Sequence, residues 1–82
     1  MEPYRGRTRR GGVIAFQILP DAIDVEFDSG WVYHFSYTKP GPARVEHMKA
    51  LARDGRGLST FISKFVKNRF ETRRHKSDLL AQ

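Results

Sequence analysis

The chain has 82 residues, of which 39% are apolar and 29% charged, and a formal net charge of +6. This length leaves room for one small domain, and the lack of cysteine excludes a disulfide framework, a thiolate metal site and a cysteine nucleophile. No apolar run approaches the roughly 20 residues of a membrane span and no secretory signal is visible, so we expect a cytoplasmic protein without membrane association.

Residues 1–12 are predicted to form a flexible basic arm, because glycine and arginine dominate and little apolar surface is available to order them. The arginines of the arm are Arg5, Arg7, Arg9 and Arg10. Closely spaced arginines neutralise phosphates and release counterions, so the arm indicates nucleic-acid contact. The alternative is a solvated tail that only aids solubility.

Apolar and polar residues alternate with period two after the arm, which predicts a three-stranded antiparallel meander with one buried face. The strands are expected at about 13–18, 22–28 and 31–37. Aligning the apolar residues favours a three-residue loop at 28–30, with Gly30 in the left-handed conformation. The expected pairs are Phe27 with Trp31, Val25 with Tyr33, Ile23 with Phe35, Ile18 with Ile23 and Phe16 with Val25.

Helical spacing of apolar residues predicts two helices, at about 43–53 and 58–70. Pro42 suits a first helical position and Gly55 a helix end, and Ser59 or Thr60 is the expected N-cap of the second helix. The predicted fold is therefore an α+β domain over 13–70 of order β-β-β-α-α, with both helices on one face of the sheet. Residues 71–82 are expected to be a basic C-terminal extension, either a frayed helix or disordered.

The pattern Ile23-x-Val25-x-Phe27-x-x-Gly30-x-x-Tyr33-x-Phe35 resembles the centre of the KTSC domain, a family named for the C-terminal segment of some lysyl-tRNA synthetases. Residues 52–55 resemble the turn that follows in that family, and residues 58–66 resemble its last helix. The resemblance covers about 13–70. It implies a small stand-alone or appended module, for which RNA binding is the usual suggestion.

The predicted second helix carries a basic ridge opposite its apolar stripe. Lys64, Lys67 and Arg74 form the ridge, and Arg69 and Arg73 widen it. Such a ridge can contact phosphates, and the alternative is an ordinary solvated helix face.

The aromatic row Trp31, Tyr33 and Phe35 is interpreted as core packing rather than a stacking platform, because it shares its face with apolar strand residues. The carboxylates of residues 24, 26 and 28 are expected on the solvated face. The glycine-containing segment 55–60 is interpreted as an interhelical turn rather than a phosphate-binding loop.

The histidines at 34, 47 and 75 are scattered without metal-ligand spacing, and no serine lies in a nucleophile context. We therefore expect no enzyme, metal, cofactor or small-molecule substrate. The leading hypothesis is a small accessory module that binds nucleic acid, RNA more than DNA, through phosphate contacts. The alternative is a protein-interaction or homodimerisation module that uses a sheet edge and an outer-face strip of Val13, Ala15 and Val32.

Overall fold

A five-stranded antiparallel sheet, in which the strands follow one another in chain order, organises the molecule. The computed structural model describes residues 1–6 and 12–77. The strands are β1 (Glu2–Pro3), β2 (Val13–Leu19), β3 (Ala22–Phe27), β4 (Trp31–Ser36) and β5 (Thr72–His75). Helix α1 (Pro42–Asp54), helix α2 (Leu58–Phe61) and a π-helical turn (Ile62–Val66) lie between β4 and β5. The predicted order β-β-β-α-α is therefore wrong, because a strand precedes the meander and another follows the helices.

The pairing within the central meander is confirmed. Val25 pairs with Tyr33 across β3 and β4, and Phe16 pairs with Val25 across β2 and β3. Gly30 adopts φ 97°, and its N–H donates to the Phe27 carbonyl at 2.9 Å. The turn between β3 and β4 therefore has the predicted three residues, which keeps the apolar residues of the two strands on one face.

A β-bulge at the start of β2 changes the face on which Val13 lies. Val13 pairs with Phe27, whereas Ala15 pairs with Glu26, so Ile14 is an extra residue in this strand. Val13 is consequently buried in the core, and its N–H donates to Ser59 Oγ at 3.1 Å. The prediction that Val13 belongs to an apolar strip on the outer face is therefore wrong.

The first residues of the chain are part of the fold. Strand β1 pairs with β2, and the side chain of Tyr4 is only 4% exposed within the core. The Tyr4 hydroxyl accepts a hydrogen bond of 3.1 Å from the Leu58 N–H at the start of α2. The N-cap residue is Gly57, without a side-chain cap, so the prediction of Ser59 or Thr60 is wrong. The prediction of a flexible arm over 1–12 is likewise wrong for residues 2–4.

Helix α1 covers one end of the sheet's apolar face. It begins at Pro42, as predicted, and ends at Asp54. The C-cap is Gly55, which has φ 80° and donates its N–H to the Leu51 carbonyl at 2.9 Å. Val45 and Met48 are fully buried in the core cluster that also holds residues of β3 and β4. This packing places the helices on the face predicted from the alternation of the strands.

The second helical segment ends at Val66, so the prediction of a helix to residue 70 is wrong. Arg69 N–H donates to the Val66 carbonyl at 2.8 Å, which closes a turn, and Glu71 N–H then donates to the His34 carbonyl at 2.8 Å. The chain thereby enters the sheet, and β5 pairs with β4. Residues 72–75 form a strand where a frayed helix or disorder was expected, and residues 78–82 lie outside the described residues.

We expect Tyr4→Phe to lower the free energy of unfolding by about 1–3 kcal/mol, because it leaves the buried Leu58 N–H without an acceptor. Urea unfolding of the full chain measures this loss. Tyr37→Phe is the matched control, since its hydroxyl bond to Glu46 is exposed to water and its removal should cost less. Equal stability of Tyr4→Phe and the wild type would contradict the capping role.

Candidate nucleic-acid interface

The helix-facing side of the sheet is covered at one end and half-open at the other. Along β4, Phe35 is fully buried, whereas Tyr33 and Trp31 are half-buried. Along β3, Val25 is fully buried and Phe27 is half-buried. The aromatic row is therefore core packing only in part, because its rings become accessible toward the turn between β3 and β4.

A cleft of about 200 Å³ lies at this half-open end, between the β3–β4 turn and the π-helical turn. It is lined by Phe27, Ser29, Tyr33, Ile62, Ser63 and Lys67. The Tyr33 ring meets the Phe27 ring edge-on with centroids 5.3 Å apart, and it meets the Phe70 ring edge-on at 4.8 Å. These contacts hold the aromatic wall of the cleft in place.

Two side chains of strand β5, Arg73 and His75, pack on the aromatic rings at the half-open end of the sheet. The Arg73 guanidinium lies 4.5 Å from the centre of the Trp31 ring and 5.7 Å from that of Phe70. His75 meets Trp31 edge-on at 5.0 Å and its Nε2 lies 3.1 Å from the Ser29 carbonyl oxygen. The guanidinium is thus held on the rings by cation–π attraction.

Four of the predicted basic residues between positions 64 and 73 are exposed. No carboxylate of residues 1–6 and 12–77 forms an ion pair with Lys64, Lys67, Arg69 or Arg73. Lys64 and Lys67 come from the π-helical turn and the residue after it, Arg69 from the connection to β5, and Arg73 from β5 itself. We call these four residues the basic surface.

Arg74 does not belong to the basic surface, so the predicted ridge is wrong at this position. Because residue 74 lies on a strand rather than a helix, its side chain falls on the outer face of the sheet, opposite Val32. Its guanidinium lies 3.8 Å from Asp24 Oδ2. This charge is compensated within the protein.

Of the predicted arm residues, only Arg5 is placed. It is exposed and packs against Gly55, where a Cβ would lie 2.9 Å from that of Arg5. Arg7, Arg9 and Arg10 lie outside the described residues. The last residue of the predicted arm, Gly12, accepts a 3.0 Å hydrogen bond from the Asp28 N–H in the turn that borders the cleft.

The carboxylates on the outer face of the sheet are matched by cationic or titratable partners. Asp24 Oδ1 lies 2.6 Å from His34 Nδ1, and Glu71 Oε1 lies 3.6 Å from the other nitrogen of that ring. Glu26 Oε2 lies 3.4 Å from Lys76 Nζ. No group of metal-ligating side chains suited to a metal ion occurs among residues 1–6 and 12–77. This face is therefore a self-compensated polar network.

A buried lysine links α1 to the sheet. Lys49 is only 4% exposed, and its Nζ lies 2.8 Å from Glu46 Oε2 and donates to the Pro20 carbonyl at 3.1 Å. The Tyr37 hydroxyl donates to the same Glu46 oxygen at 2.7 Å. Hydrogen bonds from Lys49 and Tyr37 hold the pKa of Glu46 below its ordinary value of 4.5, and the bond to Glu46 raises the pKa of Tyr37. The lysine serves as a structural anchor.

The first N–H of α2, within the segment 55–60, is already bonded inside the protein. The Leu58 N–H bonds the Tyr4 hydroxyl, and the Phe61 N–H donates to the Gly57 carbonyl at 2.9 Å. The interpretation of this segment as an interhelical turn is confirmed.

Sequence reasoning assigned no binding role to two cleft residues, Ser29 and Ser63, or to Phe70, which supports the Tyr33 wall of the cleft. Ser29 was interpreted only as part of the turn, and Phe70 only as the end of a helical stripe. The one usable signal was the spacing of Lys67 after Ser63, which places a hydroxyl and an ammonium near each other on a helical turn. Their position opposite Tyr33 depends on tertiary packing.

Comparison with protein-family models, with curated proteins and with solved structures gave no match. The resemblance to the KTSC domain therefore stays a prediction. Within the part of the chain that the structure describes, neither helix has the length and apolar character required to cross a bilayer.

We expect Arg73→Ala to shift the emission of Trp31, the only tryptophan of the chain, to longer wavelength. The guanidinium covers the indole ring at 4.5 Å, so its removal admits water to the ring. Steady-state fluorescence measures the shift, with Arg69→Ala as a control of equal charge change. An unchanged emission maximum in Arg73→Ala would mean that the guanidinium does not cover the ring in solution.

We expect the stability difference between the wild type and Glu46→Gln to depend on pH. Because the pKa of Glu46 is lowered on folding, its stabilising contribution is present above the ordinary value of 4.5 and is lost as the pH falls through the lowered value. Urea unfolding between pH 7 and pH 3 measures this difference. Glu2→Gln, on exposed β1, is the control, and a Glu46→Gln difference that stays constant with pH would contradict the interaction.

Proposed function

We propose that this protein is a small, non-enzymatic cytoplasmic module that binds nucleic acid, RNA in preference to DNA, mainly through its phosphates. The observation that carries the proposal is that two residues of the basic surface lie beside half-buried aromatic rings, Lys67 in the lining of the cleft and Arg73 on the Trp31 ring. The arm arginines add further phosphate contacts in this proposal. The family resemblance favours the same assignment but does not carry it.

The distribution of charge supports the choice of this surface over the outer face of the sheet. The cations on the outer face are compensated by carboxylates, as in the pairs Arg74–Asp24 and Lys76–Glu26. Cations that form no ion pair attract phosphate without first giving up a carboxylate partner. Binding to the basic surface releases counterions from the nucleic acid, so affinity falls as salt rises.

The aromatic rings favour single-stranded RNA as the ligand. Phe27 and Tyr33 are half-buried and line the same cleft as Lys67, so rings and a cation are offered on the same surface. Unstacked bases of RNA loops and ends can stack on rings of this kind, whereas bases within a duplex are covered by their neighbours. Phosphate contacts set most of the affinity and the rings add a preference for single strands.

The alternative, homodimerisation through a sheet edge, is less well supported. The edge strand β5 carries Arg73 and Arg74, and two such edges brought together would repel each other. The opposite edge, β1, is two residues long and contains Pro3, which lacks an N–H for pairing.

We expect Lys67→Gln to weaken binding of a short single-stranded RNA and to reduce the slope of log affinity against log salt by about 0.7, the value for one phosphate contact on a single strand. Fluorescence anisotropy from about 50 to 200 mM salt measures both quantities, with the same sequence as DNA in parallel. Lys39→Gln is the matched control, because Lys39 is exposed beyond the opposite end of β4.

The wild type should bind at the lowest salt and Lys39→Gln should behave as the wild type does. No binding at about 50 mM salt would contradict the proposed function. Equal losses of RNA affinity in Lys67→Gln and Lys39→Gln would show that positive charge promotes binding without a defined contact surface. Tighter binding of the DNA would reverse the preference for RNA.

A further inference from the structure

We infer that the cleft between the β3–β4 turn and the π-helical turn binds one unpaired base of single-stranded RNA, while Lys67 contacts an adjoining phosphate. This inference rests on the proposed function and deepens it, because it assigns a base-binding site beside the basic surface. Four properties of the cleft support this assignment: its size, its lining, its charge and the helix geometry at its wall.

The size of the cleft suits a single ring system. Its volume of about 200 Å³ is below the ~300–1,000 Å³ of ordinary ligand pockets. A peptide segment or a whole dinucleotide therefore does not fit inside it. A flat base inserted from an unstacked strand needs only one such space, with its sugar and phosphate left outside in water.

The lining of the cleft combines apolar walls with polar groups. Phe27, Tyr33 and Ile62 supply aromatic and aliphatic surface against which a base can pack. The hydroxyls of Ser29 and Ser63 lie among these walls and can donate to or accept from the edge of a base. Aromatic side chains beside a cationic groove are used by proteins that bind single strands with little sequence preference.

The positive charge of Lys67 at the cleft favours a ligand whose negative charge lies outside its aromatic ring system. Lys67 lines the cleft, is exposed and forms no ion pair with a carboxylate of residues 1–6 and 12–77. Phe70, which contacts the Tyr33 ring, connects the aromatic wall to the guanidinium of Arg73. A base in the cleft therefore has the Lys67 ammonium beside it for a flanking phosphate.

The helix wall of the cleft has an unusual backbone. Ile62 and Ser63, which close this side, both belong to the π-helical turn Ile62–Val66. Turns of this type are rare and are frequently found at functional sites, because they change the position of side chains relative to a regular α-helix. Here the turn lies directly opposite the open end of the aromatic row.

The test fills the cleft from its exposed side. Ser63→Phe places a ring where the base would lie, and Thr60→Phe adds the same ring at an exposed position that does not line the cleft. Each full-length variant is titrated with a fluorescently labelled single-stranded RNA of about eight nucleotides. The wild type is also titrated with an abasic ribose-phosphate strand of the same length and charge.

We expect Ser63→Phe to weaken RNA binding about tenfold, the loss of stacking on one base, while Thr60→Phe binds as the wild type does. We also expect the abasic strand to bind the wild type at least about fivefold more weakly than the RNA. Thermal unfolding followed by circular dichroism checks that both variants are folded. The abasic comparison needs no variant and decides the question even if Ser63→Phe does not fold.

The possible failures separate the two proposals. If the wild type binds neither RNA nor the abasic strand, the proposed function fails. If the wild type binds RNA but the abasic strand binds equally well, phosphates alone are bound and the base site is excluded. Binding of folded Ser63→Phe at wild-type strength would also exclude it.

Discussion

The apolar face of the sheet extends beyond the helices that pack on it. The rest of the structure depends on how the chain covers the part of this face that the helices leave uncovered. Helix α1 and α2 cover Phe35 and the buried part of β3, and the π-helical turn stops at Val66. Beyond that point the chain returns to the sheet as β5 and places Phe70 and Arg73 over Tyr33 and Trp31. A short connection and an edge strand cover the rings less completely than a helix would, so a cleft remains.

Because the chain returns to the sheet as β5, the arginines of this strand fall into two groups, one on each face of the sheet. Alternate residues of a strand point to opposite faces, so Arg73 lies on the aromatic rings whereas Arg74 points to the outer face and Asp24. The outer face thereby becomes a network of matched charges. Lys67 lines the cleft beside Tyr33, and Arg73 lies on the Trp31 ring, so two cations without a carboxylate partner among the described residues lie at the open end of the inner face, which is why we assign ligand binding to that end.

The meander could be predicted from the sequence because period-two alternation fixes both face and register, as the pair Val25–Tyr33 illustrates. Two residues of the site could also be identified from the sequence, Tyr33 as a packing residue and Lys67 as an exposed cation. The cleft itself could not be predicted, because Phe70 continues the apolar helical spacing and gave no sign that the helix ends at Val66. Strand β5, Thr72–His75, has no apolar residue and so no alternation; its pairing with β4 is a tertiary effect.

Amide chemical-shift mapping of the full chain with single-stranded RNA tests the central claim, that ligand binding occurs where the helices leave the sheet uncovered. The account predicts that the largest shift changes fall in residues 27–33 and 62–67 and at Arg73, with little change along α1 or at the matched charges of the outer face. Shift changes concentrated on α1 or on the outer face, or no changes at low salt, would contradict it.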